Sequence, residues 1–226
     1  MAFPLTHLCV AYKILEQLPI TDPAQFILGS IAPDAVHFRG EFLDATMGNI
    51  GATKKVTHLC PISDEKWGQV TDNDGWVDCV KAFLKAHPGD AFATGYAVHV
   101  LTDIYNNISL WREFITKHPE EAAKGYASDY YRDLRNIDLR ICNEFFKGGD
   151  LRLLLSNAVP QEIPGLVKAE ELARIQHNLL HVQYADAPEN VDTGRCFYVT
   201  YKQTLQFIQD AADFCVRVIL EAQVPL

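Results

Sequence analysis

The sequence has no excess of positive charge, no long apolar run and no closely spaced pair of cysteines. Its 20 Lys and Arg residues are outnumbered by 29 Asp and Glu residues, which gives a formal net charge of -9. A chain with this charge has no overall electrostatic attraction to nucleic acid or to an anionic lipid surface. We therefore expect no nucleic-acid partner, and the charge of any phosphate-bearing substrate would have to be neutralised locally, most simply by metal ions.

No apolar run approaches the roughly 18 residues that a membrane span needs, so no transmembrane segment is expected. The first residues, MAFPLTHLCVAYKILEQ, lack a basic leader and contain interspersed polar side chains, unlike a signal peptide. These absences predict a cytoplasmic protein. The six cysteines include no Cys-x-x-Cys pair, which argues against a zinc knuckle or a thioredoxin-like motif. In a reducing compartment they would remain thiols.

Strand signals are scarce as well, and most of the chain follows a helical period. Apolar side chains three and four residues apart predict helices over 5–18, 74–87, 89–115, 119–147, roughly 165–186 and 197–222, and TDPAQ at 21–25 starts another. Residues 195–201, RCFYVTY, are the one plausible β-strand. Glycines, prolines and charges up to about residue 70 predict a long loop region between the second and third helices. The 226 residues are predicted to form a single all-α, multi-helical domain, 1–226.

The sharpest local feature is the segment GYAVHVLTDIYNN, in which His99 and Asp103 are four residues apart on an otherwise apolar helix. Side chains at this spacing share one face, with Cβ atoms about 5–6 Å apart. The pair can therefore ligate one metal ion, or the carboxylate can bridge two. A buried, hydrogen-bonded pair without a metal explains the same residues equally well. Gly95, one turn earlier, leaves room for another element to approach.

Other histidines and carboxylates are candidates for the same site. His7 lies on the apolar face of the first predicted helix. In GSIAPDAVHF, Asp34 follows a proline and His37 comes one helical turn later, while His58 lies in the predicted loop region. Taken singly, Asp34 can cap a helix and an inward histidine can be an ordinary core residue. Together they are harder to explain without a metal.

In this order, the elements resemble the zinc-dependent phospholipase C family, whose members share an all-α fold with P1-type nucleases. The matching elements are His7, GSIAPD at 29–34, His58, and the Gly-x-x-x-His-x-x-x-Asp helix at 95–103. GSIAPD is one residue longer between its Gly and its Pro-Asp than the tightest form of the family motif. The resemblance covers roughly residues 1–105 and is weak beyond them.

The resemblance implies that Asp34, His58, His99 and Asp103 hold one zinc ion, and that His7 and the bridging Asp103 contribute to a second. Iron, manganese or nickel could occupy the same ligands. The implied activity is metal-dependent hydrolysis of phosphoric esters through a zinc-activated water, with a small-molecule phosphate ester or a phospholipid headgroup as substrate. Asp34 is the candidate catalytic residue that orients or deprotonates the water. The alternative is a non-catalytic helical module with a structural or degenerate metal site.

Two further pairs have a helical spacing that a metal could use. Asp129 and Asp133 are four residues apart, but nearby arginines favour an exposed, neutralised helix face. His177 and His181 lack the glutamate of the zincin motif, so we interpret them as structural. The three-zinc enzymes of the resembled family have a histidine six residues after the bridging aspartate, where this chain has Ser109. A third metal would have to be bound differently.

Overall fold

The computed structural model describes residues 3–39, 50–61 and 70–223, and α-helices account for most of them. The helices are α1 (Pro4–Leu15), α2 (Pro23–Gly29), α3 (Ile50–Thr57), α4 (Asn73–Ala86), α5 (Ala91–Ile108), α6 (Leu110–Lys117), α7 (Pro119–Ala122), α8 (Asp129–Ile141), α9 (Asp150–Asn157), α10 (Ala169–His181) and α11 (Tyr201–Gln223). Two 3-10 turns, Ala32–Phe38 and Gly125–Ala127, and one π-helical turn, Cys142–Phe146, complete the elements. These ranges contain an isolated β-bridge but no strand, which confirms the predicted all-α class.

Helix α5 runs through the centre of the fold and is buried on nearly every side. It packs against α1, α2, α4 and α11. A helix that is covered all round must satisfy its polar side chains inside the core. His99 and Asp103, which are 1% and 4% exposed, therefore need buried partners. Within the described ranges, no helix combines the length and the apolar character that crossing a membrane requires.

The crossing of α2 and α5 depends on two glycines. A Cβ atom on Gly95 would lie 2.0 Å from the carbonyl oxygen of Phe26, and one on Gly29 would lie 2.2 Å from that of Phe92. Both distances are far shorter than van der Waals contact, so a larger residue at either position would force the two backbones apart. The prediction that Gly95 leaves room for another element is confirmed, and that element is α2.

The predicted long loop between the second and third helices is partly wrong. The chain forms the 3-10 turn Ala32–Phe38 there, followed by α3. Helix α3 is short and its sequence, IGATKKVT, is only weakly apolar, so no helical period stands out from the sequence. Residues 40–49 and 62–69 of the predicted loop lie outside the described residues.

Two long predicted helices are interrupted in the structure. The helix predicted over 89–115 breaks at Ser109, whose backbone leaves the helical region between α5 and α6. The helix predicted over 119–147 divides into α7, a 3-10 turn, α8 and the π-helical turn. Helix α9 was not predicted at all. Each of these segments is helical in character, but the positions of the breaks depend on packing that the periodicity does not show.

The predicted strand RCFYVTY is wrong. Residues 196–200 have no regular structure, and α11 begins at Tyr201. The buried carboxylate of Asp133 accepts hydrogen bonds from the backbone N–H groups of Phe197 and Tyr198, at 2.7 and 2.8 Å. A side chain thus satisfies the backbone groups that a paired strand would have satisfied.

Candidate metal centre

Side chains from four elements meet at one point beside α5. His58 Nε2 lies 3.3 Å from His99 Nε2, 3.5 Å from Asp34 Oδ1 and 3.6 Å from Asp103 Oδ2. His99 Nε2 is 4.0 Å from Asp34 Oδ2, and His7 Nε2 is 3.5 Å from Asp103 Oδ1. The structure therefore brings together all five residues that the sequence singled out, although they are separated by up to 96 positions in the chain.

His99 is oriented by the backbone of the segment that follows α2. Its Nδ1 lies 2.8 Å from the carbonyl oxygen of Ser30. Because a carbonyl can only accept a hydrogen bond, Nδ1 carries the proton, and in the neutral ring Nε2 presents a lone pair to the cluster. A metal-binding histidine characteristically donates its other ring N–H in this way.

His58 is oriented in the same manner by its own helix. Its Nδ1 lies 3.0 Å from the carbonyl oxygen of Lys54, and the hydroxyl of Thr57, also 3.0 Å away, can accept the same proton. The lone pair on His58 Nε2 therefore faces the one on His99 Nε2 at 3.3 Å. Two lone pairs at this distance repel each other, and a cation between them would turn the repulsion into attraction.

The end of α3 that presents His58 is anchored to the core. Trp76 Nε1 donates a 2.8 Å hydrogen bond to the His58 carbonyl, and the Tyr96 hydroxyl donates to the carbonyl of Thr57. Leu59 then takes a left-handed backbone with φ of 52°. This conformation costs a residue with a side chain about 1–2 kcal/mol. The strained residue, Leu59, directly follows His58, whose backbone carbonyl is held by Trp76.

His7 reaches the cluster from α1, where it is 1% exposed. Its ring stacks on that of His99, with centroids 3.8 Å apart and planes inclined by 6°. Within the described part of the chain, neither ring nitrogen of His7 has a hydrogen-bond partner. Buried ring nitrogens are normally satisfied. A ring nitrogen of His7 is therefore available as a ligand for a cation.

The electrostatics leave the candidate ligands in the form that binds metal. Burial, followed by the nearby His99, lowers the pKa of His7 to about 3, and burial lowers the pKa of His58 to about 4. Burial alone would raise the pKa of Asp34, but the Lys54 ammonium and a hydrogen bond from His37 hold it well below its usual range. At neutral pH His7 and His58 are therefore unprotonated and Asp34 is ionised, as metal binding requires.

The spacing around His58 Nε2 is compatible with a small divalent cation, although His99 Nε2 and Asp34 Oδ2 are farther apart, at 4.0 Å. Bonds of about 2.0–2.1 Å in a tetrahedron place neighbouring ligand atoms about 3.3–3.4 Å apart, close to the distances of 3.3, 3.5 and 3.6 Å around His58 Nε2. The described residues contain two groups of three donors within 4.8 Å of one another, His7 with His99 and Asp103, and Asp34 with His58 and His99. Since Nδ1 of His99 is bound to Ser30, both groups share its single Nε2.

Sequence reasoning missed several residues of this centre. Lys54 is 1% exposed, and its Nζ lies 2.8 Å from Asp34 Oδ1. It lies on α3, four residues before His58, which directly follows that helix, so a prediction of the helix from the sequence would have placed the two side chains on one face. His37, whose role the sequence left open, has Nε2 3.5 Å from the same Asp34 oxygen and is partly exposed. The supporting groups of Ser30 and Trp76 act through the backbone and had no sequence signal.

The other predicted pairs do not join the centre. His177 and His181 lie on α10 with ring centroids 5.0 Å apart, and neither belongs to a group of three described donors. The expectation of a solvated face for Asp129 and Asp133 is wrong for Asp133, which is 0% exposed. Asp133 turns inward because it binds the backbone before α11, whereas Asp129 is about half exposed and pairs with an arginine.

The hydroxyl of Ser109 donates a hydrogen bond to the carbonyl of Tyr105. The six cysteines are all free thiols.

No protein-family model, no curated protein and no solved structure matches this chain.

Proposed function

We propose that this protein is a metal-dependent hydrolase of phosphoric esters with a fold like that of phospholipase C and P1 nuclease. The observation that carries the proposal is the convergence of two histidine Nε2 atoms with two carboxylates, each histidine being fixed by a carbonyl at its other nitrogen. A purely structural hydrogen-bonded core would pair donors with acceptors. Lys54 donates to Asp34, but around His58 Nε2 the cluster instead directs acceptors at one another.

The proposed ligands are Asp34, His58, His99 and Asp103 for one ion, with His7 and Asp103 contributing to a second. When bound, zinc would coordinate phosphate oxygens and lower the pKa of a water molecule towards about 7. Iron, manganese or nickel are alternatives for the same donors.

Among the five candidate ligands, Asp34 has the most exposed side chain in the described part of the chain. Its side chain is 17% exposed, whereas those of His58 and Asp103 are 0% and 3% exposed. A substrate arriving from solution therefore meets the centre on the Asp34 side, where the carboxylate can orient the attacking water and accept its proton. The acidic surface does not oppose this, because the positive charge that meets the phosphate is local.

A metal assay combined with a phosphatase and phosphodiesterase panel tests the proposal. We expect the purified protein to hold zinc or a related ion and to hydrolyse a phosphomonoester or phosphodiester, and Asp103→Asn to lose both. His177→Ala, on the exposed face of α10, is the matched control and should keep both. A protein that binds no divalent metal would refute the hydrolase.

A non-catalytic structural metal site is the second candidate, and one observation favours it. His7, His58, His99 and Asp103 are all at least 96% buried, as is common for metals that only stabilise a fold. One tightly enclosed ion, with no turnover of any ester in the panel, would select this function over the first.

A further inference from the structure

Helix α3 brings a fixed positive charge into the candidate metal centre. Lys54 is 1% exposed, and its ammonium lies 2.8 Å from Asp34 Oδ1. The same carboxylate oxygen lies 3.5 Å from His58 Nε2, so the ammonium on α3 and the histidine that directly follows α3 both approach Asp34. Burying an ammonium costs several kcal/mol before its partners are counted, and lysine is rarely fully buried. This lysine is therefore an unusual component of the core.

The position of the ammonium relative to a bound ion follows from Asp34. An ion bonded to either oxygen of this carboxylate at about 2.1 Å lies within roughly 7 Å of Lys54 Nζ, since Nζ is 2.8 Å from Oδ1. A phosphate group that binds the ion on the exposed side of Asp34 is thus in the field of the ammonium. Unit charges at such distances interact strongly where protein replaces water.

Lys54 adds one positive charge to the centre that a substrate meets. The carboxylates of Asp34 and Asp103 and the ammonium of Lys54 sum to one negative charge, because histidines that bind metal are neutral. Counting only these groups, one divalent ion then leaves a net charge of +1 and the two proposed ions leave +3. Without Lys54 the same sums are 0 and +2, so the ammonium makes the centre more positive by one charge in either case.

We propose that Lys54 is the fixed cation that makes this centre prefer the dianionic phosphate of a phosphomonoester over the monoanionic phosphate of a diester. The proposal deepens the proposed function, since it rests on a metal bound at the same site, but it does not depend on turnover. It depends on the charge of Lys54 and requires no new hydrogen bond from the ammonium. A second negative charge on the ligand gains more from this cation than the first alone.

The test is anion binding to the zinc-loaded chain of residues 1–226, measured by titration calorimetry at pH 8. The dianionic probe is inorganic phosphate and the monoanionic probe is dimethyl phosphate. Lys54→Met removes the charge at similar length, Lys54→Arg keeps it, and Lys117→Met removes an exposed lysine that pairs with Glu113 on α6. Zinc content is measured for each variant.

We expect Lys54→Met to weaken phosphate binding on the order of tenfold or more, and to weaken dimethyl phosphate binding clearly less. Lys54→Arg should stay close to wild type, and Lys117→Met should be unchanged. An unchanged ratio of the two affinities in Lys54→Met would overturn the proposal. A loss of zinc from both Lys54 variants would overturn it too, because Lys54 would then only support Asp34.

The outcome also separates this proposal from the hydrolase. A wild-type protein whose phosphate binding depends on Lys54, but which hydrolyses no ester, would keep the charge assignment and reject the activity. A protein that hydrolyses diesters faster than monoesters, with Lys54→Met unaffected, would keep the activity and reject the assignment. Zinc-loaded protein that binds no phosphate rejects the role of Lys54 directly, and protein that binds no zinc rejects both.

Discussion

Replacing His99 by alanine should abolish the stabilisation of this protein by zinc, whereas replacing His177 should leave it intact. His99 belongs to both groups of candidate donors and contributes its single available Nε2 to each, because Nδ1 is bound to Ser30. Its loss therefore removes a ligand wherever the ion sits. His177 is exposed on α10 and belongs to neither group, so its substitution removes a histidine without touching the centre.

The size of the effect follows from linkage. A ligand that binds only the folded state at 100 times its dissociation constant stabilises it by about 2.7 kcal/mol. For a chain of this length each kcal/mol shifts the melting temperature by about 2–4 °C, so zinc should raise the wild-type value by roughly 5–11 °C. His99→Ala also removes a ring that stacks on His7 at 3.8 Å, which lowers the stability of the metal-free protein itself.

For that reason the informative quantity is the response to zinc and not the melting temperature alone. Thermal unfolding followed by circular dichroism, with zinc and after treatment with a chelator, gives this response for each protein. We expect a clear response for wild type and His177→Ala, and none for His99→Ala. Equal responses in all three proteins, or equal losses in both variants, would show that the metal binds elsewhere or not at all.

Three further outcomes follow from the same geometry. Asp34→Asn should weaken zinc binding, because it replaces a charged ligand, and at saturating zinc it should still lower turnover of a phosphate ester by about 100-fold or more, because the amide cannot accept the proton of water; rates measured at saturating zinc check this, and a wild-type rate there would contradict a catalytic role. Trp76→Phe removes the 2.8 Å hydrogen bond to the His58 carbonyl and should weaken zinc binding by about tenfold, measured by competition with a chromophoric chelator; unchanged affinity would mean that the anchor is dispensable. In the metal-free protein, stability should rise with pH between about 4 and 6.5, measured by urea unfolding. His7 and His58 have pKa values of about 3 and 4 when folded and 6.5 when unfolded, so the unfolded chain binds more protons in that window; a flat or falling profile would contradict the burial of neutral rings.

Asp138 reduces the slope with which the stability of the metal-free protein rises with pH. Burial raises the pKa of its carboxyl to about 7, and the Tyr184 hydroxyl donates a hydrogen bond to it. Between its unfolded value and pH 7 the folded state therefore holds a proton that the unfolded chain releases, so its contribution to stability falls as pH rises. One such group offsets one of the two histidines, which leaves a slope of about 1.4 kcal/mol per pH unit.

The parts of this protein that were predictable from sequence are those fixed by local periodicity. His99 and Asp103 share a helical face whatever surrounds them, and the apolar character of their helix predicts a buried position. The inward direction of His7 follows from the same reasoning. These residues could be proposed as one site because each carries ligand chemistry on a face that the period directs into the core.

What the sequence could not show depends on contacts between distant segments. Lys54 reaches Asp34 only because α3, which has little apolar period, lies beside the 3-10 turn. The aromatic and β-branched residues of RCFYVTY are typical of a strand, yet the Asp133 carboxylate satisfies their backbone instead. The spacing of apolar residues in a sequence predicts one helix or strand at a time. The Lys54 and Asp133 contacts form between different elements, so that spacing cannot predict them.

The segment GSIAPD explains why the fold and the candidate centre are hard to separate. Gly29 lets α2 approach α5 so closely that a Cβ atom there would lie 2.2 Å from the Phe92 carbonyl oxygen. That approach brings the Ser30 carbonyl to 2.8 Å from His99 Nδ1, and four residues later Asp34 reaches His58 and His99. The same crossing that packs the core therefore selects the tautomer of His99 and places a carboxylate opposite it. Residues 29–34 therefore contribute both to the packing of α2 on α5 and to the geometry of the candidate metal centre.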